Sequence, residues 1–385
     1  MRIAVIGAGI IGAACALELA ERGAEVVVVD RVGVAAETSS RCEGNLLVSD
    51  KQPGPEADLA IHSNARWRAL AARLDEGRAD GQPATEFEAK GGVVVAFRGG
   101  EEPLRRFAAT QREIGIRAEV LDADQLLAAE PHLSPEVALA IHYPDDAQLQ
   151  PSNTTQALLA TAVRRGARLV VADVTGARTA RGRVAVLETT AGPIDVDAVV
   201  NCAGPWAGQV AERLGAPLAI RPRRGVILVT TPMPQRVFHK VYDADYVGAV
   251  GSGDAALQTS TVVESTPGGT VLIGSSRERV GFDDHPGVGP TTAIAAKAIR
   301  LFPFLAGITL LRTYFGFRPY APDHLPVIGE DPRLAGLYHA TGHEGAGIGL
   351  APATAELIAH AVLGAPTELD PTPFLPGRKG LGAVA

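Results

Sequence analysis

The sequence predicts an α/β fold in which a parallel-sheet domain is interrupted twice by a β-rich domain. Three observations carry that expectation. Residues 1–30 read as strand, glycine turn, helix, strand and terminal acid, the stretch from 221 to 282 is dense in β-branched residues and turns, and 385 residues exceed the size at which a single core stops growing.

The opening RIAVIGAGIIGAACALELAERGAEVVVVD supplies the first domain's nucleus. Ile3 to Ile6 form an apolar strand, Ala13 to Arg22 is rich in helix formers, Gly23 ends that helix, and Val26 to Val29 is a β-branched run suited to burial on both faces. Gly7, Gly9 and Gly12 fall at G-x-G-x-x-G spacing. The first glycine permits a tight turn, the second a close backbone approach to a pyrophosphate, and the third close helix–strand packing. The helix N-terminus then offers unpaired N–H groups and a positive dipole end to phosphates. Asp30 stands where a carboxylate accepts hydrogen bonds from ribose hydroxyls, which disfavours a 2′-phosphate. FAD and NAD remain open on this motif alone.

Hydrophobic residues make up 46% of the chain and charged residues 21%, a composition that suits a packed globular protein and excludes a disordered one. The net charge of -7 leaves no basic footprint for nucleic acid or an anionic membrane. Cys15, Cys42 and Cys202 are far apart with no CxxC pair, so neither a disulfide framework nor a zinc site is indicated, and a reducing cytoplasm fits best. Arg2 and the apolar run before Ala14-Cys15-Ala16 resemble a signal peptide, but the same residues fit the folded motif better. No other apolar run reaches the roughly 20 residues of a membrane helix.

Further along, ETSSRCEGNLLVSDKQPGPE is polar, glycine-bearing and expected to be irregular. Helices are expected at 56–77 and from Leu104 to Ile114, and a strand from Gly91 to Phe97. Another helix is expected from Ser152 or Asn153 to Arg165, stopped by Gly166 and followed by a strand from Leu169 to Val174. DAVVNCAGPWA reads as a buried strand entering a small-residue turn. A short strand around Leu337 to His339 and a helix through about Val362 close the pattern. The expected division is 1–82, 145–220 and 318–385 for the nucleotide domain, with 83–144 and 221–317 for the second.

With these segments in order, the chain resembles the D-amino-acid oxidase type of FAD-dependent amine oxidoreductases. That group contains glycine oxidase, D-amino-acid dehydrogenase, sarcosine oxidase and the FAD subunits of proline, opine and cyanide-forming glycine dehydrogenases. The resemblance spans nearly the whole chain through GAGIIG with Asp30, ETSSRCEGNLL, VADVTG, VVNCAGPWA, RRGVILVT, GFRPYAPDHLPVIG and GHEGAGIGLAP. It implies a Rossmann-type FAD-binding domain interleaved with an antiparallel-sheet α+β substrate domain, and noncovalent FAD. The implied cofactor residues are Gly7, Gly9, Ile10, Ile11, Gly12, Asp30 and Arg31, then Thr38 and Ser39 near the pyrophosphate and Gly44, Asn45 and Leu46 beside the flavin. Val174 is implied at the adenine through its backbone, and Cys202, Ala203, Gly204 and Trp206 along the channel. Arg318 and the segment Gly345, Ala346, Gly347 and Ile348, at the start of the last helix, complete the set.

For chemistry, the resemblance places Arg318 against the substrate carboxylate, a role that suits a planar guanidinium among aromatics. Its alternative is a structural ion pair with an internal acid such as Asp323. Tyr246 aligns with a family tyrosine facing the flavin, and His343 and Glu344 border the site where glycine oxidase has an arginine. Glu344 is expected either to meet the substrate's amino group or to cap the last helix. Arg221, Arg223 and Arg224 read as structural or as a surface patch rather than a site, and Cys42 as a packed thiol, since the cysteine that carries covalent FAD in sarcosine oxidases has no counterpart here.

The implied reaction is oxidation of the C–N bond of glycine, a proline-like or opine substrate, or a D-amino acid. The leading expectation is the FAD subunit of a multi-component dehydrogenase with an iron–sulfur or second flavoprotein partner. The alternatives are a stand-alone oxidase releasing peroxide and a non-catalytic FAD-binding subunit. An oligomer is expected, without a nucleic-acid partner or transmembrane segment.

Overall fold

The computed structural model describes residues 1–245 and 256–381. Its first sheet has six strands in the order Val327–Glu330, Leu337–Thr341, Ala198–Asn201, Arg2–Ile6, Glu25–Asp30, Arg168–Val171. Every neighbour pair is parallel except the edge pair Val327–Glu330 with Leu337–Thr341. The central strands bury both faces, which explains their unbroken aliphatic runs: Ile3, Ala4, Val5 and Val26 to Val29 are all 1% exposed or less.

The second sheet has eight strands in the order Leu310–Tyr320, Arg221–Thr230, Val271–Arg277, Gln258–Ser265, Lys240–Asp243, Gly92–Phe97, Val137–Tyr143, Glu119–Leu121. It is antiparallel except where Lys240–Asp243 runs parallel to Gly92–Phe97. A three-stranded sheet (Val174–Ala180, Arg183–Thr189, Ile194–Asp195) and the pair Asn45–Leu46 with Ala147–Gln148 complete the β structure among the described residues.

Several local expectations shift. The run expected as one strand from Leu169 to Val174 is two, because Ala172 and Asp173 turn the chain from the six-stranded sheet into the three-stranded one. The helix expected from Ser152 begins at Pro151, with the Gln150 side chain accepting from the Asn153 N–H at 3.0 Å. Proline at the first helical position loses nothing, because its missing N–H would have been unpaired there. The Arg318 segment is an 11-residue strand, and the loop expected to be irregular holds a 3-10 turn at Thr38–Ser40 and the short strand Asn45–Leu46. The amphipathic helix Val288–Leu301 covers the second sheet's core through Ile294, Ala298 and Leu301.

The helix Gly347–Leu363 is almost wholly buried between the helices Ile10–Glu21 and Pro55–Glu76. Trp67, fully buried in the latter, donates its indole N–H to the carbonyls of Ile348 and Gly349 at 3.1 and 3.0 Å, and Ser63 Oγ donates to Gly349 at 2.6 Å. The first turn of the last helix is thereby fixed in place. Among the described residues, no helix is long and apolar enough to cross a membrane.

Candidate functional site

A long cleft runs from the glycine turn of the six-stranded sheet to the strands Arg221–Thr230 and Leu310–Tyr320 of the eight-stranded one. At its first end the three glycines have separate physical tasks. Gly7 has φ 107° and a Cβ there would lie 2.5 Å from the Cys202 carbonyl oxygen, while one on Gly12 would lie 3.0 Å from the Gly7 carbonyl carbon. Both are demanded by packing. A Cβ on Gly9 would meet only Ser39 Oγ, at 3.1 Å, so that backbone stays open to the cleft. Ser39 Oγ accepts the Ile10 N–H at 2.9 Å, satisfying one of the helix's leading donors.

Asp30 accepts the N–H groups of Ala8, Val32 and Gly33, each at 2.8 Å. A carboxylate has about four acceptor sites, so one remains for a ribose hydroxyl. Arg31 lies over the Trp206 ring at 4.2 Å, and Trp206 stacks on Phe282. The Val174 carbonyl accepts from Arg213 at 2.8 Å, which engages part of the backbone expected to face adenine.

At the other end, the cleft is lined by Gly44, Asn45, Gly345, Gly347 and Ile348. The last helix starts at Ala346 with no side-chain cap, so its leading N–H groups and positive dipole end are directed to the site. Of the expected cofactor residues, Gly12, Leu46 and Ala346 do not line this cleft. Gly12 is used in packing, Leu46 is fully buried, and Ala346 borders a small neighbouring cavity.

Arg318 lines the cleft, with Nη1 donating to the Ser276 carbonyl at 2.9 Å. Its guanidinium rests on Gly225: a Cβ there would lie 2.6 Å from Cζ and closer still to Nη1. Gly225 faces Gly316 across the two strands, and a Cβ on Gly316 would lie 2.9 Å from Arg41 Cβ. The paired glycines make the floor on which Arg318 and the Arg41 loop sit. Asp323 takes a different arginine, Arg378, through Nε at 2.7 Å and Nη2 at 2.9 Å. Phe317 packs edge-on against Phe315 and Phe282, and Thr38 Oγ1 donates to the Phe317 carbonyl at 2.8 Å.

Glu344 also lines the cleft, but its carboxylate is committed to Arg223 at 3.0 Å and His324 at 2.7 Å. It does not cap the last helix. Arg223, 1% exposed, thus holds Glu344, while Arg224 pairs with Glu278 and Asp283. The His343 imidazole is buried against Thr354 Oγ1 at 2.9 Å, and burial pushes it down to about 3, so the ring is neutral. Burial, with Glu43 beside it, pushes the Cys42 thiol up to about 12, so it stays protonated and is a poor nucleophile for covalent attachment. Tyr246 lies outside the described residues.

Glu37, Arg41, Glu43, Asp173, Gln209 and Arg213 line the cleft without having been singled out in the sequence. Glu43 had a signal, since it stands immediately before Gly44 in ETSSRCEGNLL.

The family model described as FAD dependent oxidoreductase matches residues 2–361. The chain belongs to this family. It is similar to glycine oxidase of Geobacillus kaustophilus, 29% identical with 97% of this chain and 95% of that protein covered. It is also similar to the hydrogen cyanide synthase subunit HcnC of Pseudomonas aeruginosa, at 27% identity with 98% and 95% covered. Among solved structures, glycine oxidase from Geobacillus kaustophilus superposes with a TM-score of 0.88 over 98% of this chain and 99% of that one. The chain is an FAD-dependent oxidoreductase, and its cleft suits that cofactor. The open backbone at Gly9, the remaining acceptor site of Asp30 and two helix N-termini at one cleft match a pyrophosphate, a ribose and an electron-rich ring.

Proposed function

We propose that this flavoenzyme oxidises the C–N bond of a small amino or imino acid whose carboxylate is bound by Arg318. The observation that carries the reading is the Arg318 guanidinium on the cleft wall, seated on Gly225 and oriented by the Ser276 carbonyl. A planar guanidinium in a partly apolar cleft favours a bidentate carboxylate. The bound flavin supplies the two-electron acceptor for the hydride that leaves the carbon bearing nitrogen. This chain's residues do the remainder: Arg318 fixes one end of the substrate, and the imine released is hydrolysed by water to an oxo acid and an amine.

The reading extends to a protein as electron acceptor, supported by the likeness to HcnC, which is named as a subunit of a larger synthase. The likeness to glycine oxidase supports dioxygen instead. One anaerobic experiment separates them. Glycine, sarcosine, L- and D-proline, D-alanine and an opine are added to the purified flavoprotein, bleaching is followed, and air is admitted. Persistent bleaching indicates a dehydrogenase with an acceptor other than dioxygen, and rapid recovery with peroxide an oxidase. Arg318→Ala is expected to raise the concentration of amino acid needed for bleaching at least about tenfold. Unchanged affinity and bleaching rate in that variant would overturn the assignment.

A further inference from the structure

The loop that precedes Gly44 brings into the cleft one carboxylate, Glu43, that has no ion pair among the described residues. Glu43 is 7% exposed and lines the cleft, and its Oε1 has no hydrogen-bond partner among the described residues. Its other oxygen receives only a 3.4 Å contact from the Asn45 amide. The nearby ammonium of Lys240 is paired with Glu264 and Asn45, and Lys90 with Glu88 and the Ser265 carbonyl. A buried carboxylate with an unmet oxygen is costly unless a donor arrives from outside.

The sheet is shaped to admit it. A Cβ on Gly274 would lie 2.7 Å from Glu43 Cδ and closer still to Oε1, so any side chain there would expel the carboxylate. Two residues further along the same strand, the Ser276 carbonyl anchors Arg318. The two anchor points are separated by at most about 7 Å of chain. That span suits a small zwitterion carrying a charge-assisted hydrogen bond of about 2.8 Å at each end. The Cys42 thiol feels both groups, Glu43 raising its pKa and Arg318 lowering it. Glu344, the other carboxylate at this end of the cleft, is already engaged by Arg223 and His324.

We propose that Glu43 binds the substrate's amino group opposite Arg318, so that the site selects molecules carrying an ammonium and a carboxylate on one carbon. The inference rests on the reading that Arg318 holds the carboxylate. Glu43 is thereby a specificity residue in contact with substrate, and it rejects simple carboxylic acids because they leave its buried oxygen unpaired.

The test is calorimetric and needs no turnover. α-Aminoisobutyrate, which lacks an α-hydrogen, and isobutyrate, the same skeleton without nitrogen, are titrated into oxidised holoenzyme. Glycine and acetate titrated into anaerobically pre-reduced holoenzyme give the same comparison in a narrower site. Wild type is expected to prefer the amino compound at least about tenfold. Glu43→Gln is expected to abolish the preference while leaving the simple acid's affinity within about twofold. Gly274→Ala, which displaces the carboxylate without removing it, is expected to do the same. A preference retained in Glu43→Gln overturns the proposal, as does its absence in wild type. Simple-acid affinity that survives Arg318→Ala overturns the carboxylate reading instead.

Discussion

Replacing Gly225 by alanine isolates the placement of Arg318 from its presence. The added Cβ would lie 2.6 Å from Cζ and 2.7 Å from Nη2, whereas carbon–carbon contact begins near 3.5 Å. The guanidinium must therefore retreat by about 1 Å. It is the far end of a flexible side chain, and Gly225 has no left-handed backbone requirement, so the strand is expected to persist. A 1 Å misplacement of a positioning group costs up to about 100-fold in rate. Losing one hydrogen bond to a charged group costs about 1.5–3 kcal/mol, or about 10–150-fold in affinity. Acetate titration of the oxidised flavin should show that weakening, with FAD content unchanged and the melting temperature within a few degrees of wild type. Wild-type acetate affinity in Gly225→Ala would refute the reasoning, because the guanidinium could not then be both on that floor and on the ligand.

Three other outcomes are expected. His343 is neutral in the fold down to about pH 3 against an ordinary value near 6.5, so the unfolded chain binds more protons between those values. Stability contributed by this group is complete above about pH 6.5 and falls with acidification by up to about 1.4 kcal/mol per pH unit; thermal melts from pH 7 to 4 should show a shallower slope in His343→Gln. Gly44 has φ 90°, and its Cβ would lie 3.1 Å from the Leu149 carbonyl carbon and closer to the oxygen. Gly44→Ala is expected to cost at least about 2 kcal/mol, read as a lower melting temperature and lost FAD. With Cys42 held as a buried thiol, acid precipitation should release all flavin to the supernatant, whereas yellow colour in the pellet would show a covalent bond.

What was legible in the sequence follows from local physics. The strand from Arg2 to Ile6, its glycine turn and Asp30 declared themselves because each residue answers to neighbours within one βαβ unit, where periodicity, capping and φ preference are written side by side. Arg318 drew notice for a related reason, since a guanidinium set among aromatics suggests an anion before any partner is seen, and the structure places it on the cleft wall. The commitment of Glu344 was not legible, because Arg223 and His324 lie 121 and 20 residues away and nothing local selects them. The strand break at Ala172 was only partly legible, because Ala172 and Asp173 interrupt the aliphatic run but nothing local shows that Val174 joins a different sheet.

By itself, then, the sequence determined the nucleotide-binding nucleus and the family, and it singled out Arg318, which the structure places on the cleft wall. The tertiary structure decided which charges are neutralised and which remain available. It seated Arg318 on Gly225, gave Glu344 to Arg223, and left Glu43 over Gly274 with an unmet oxygen. The physical reason is that the ionic state and reach of a side chain depend on what burial removes and which distant partner replaces it, and both are set only when the strands of the second sheet close over the cleft.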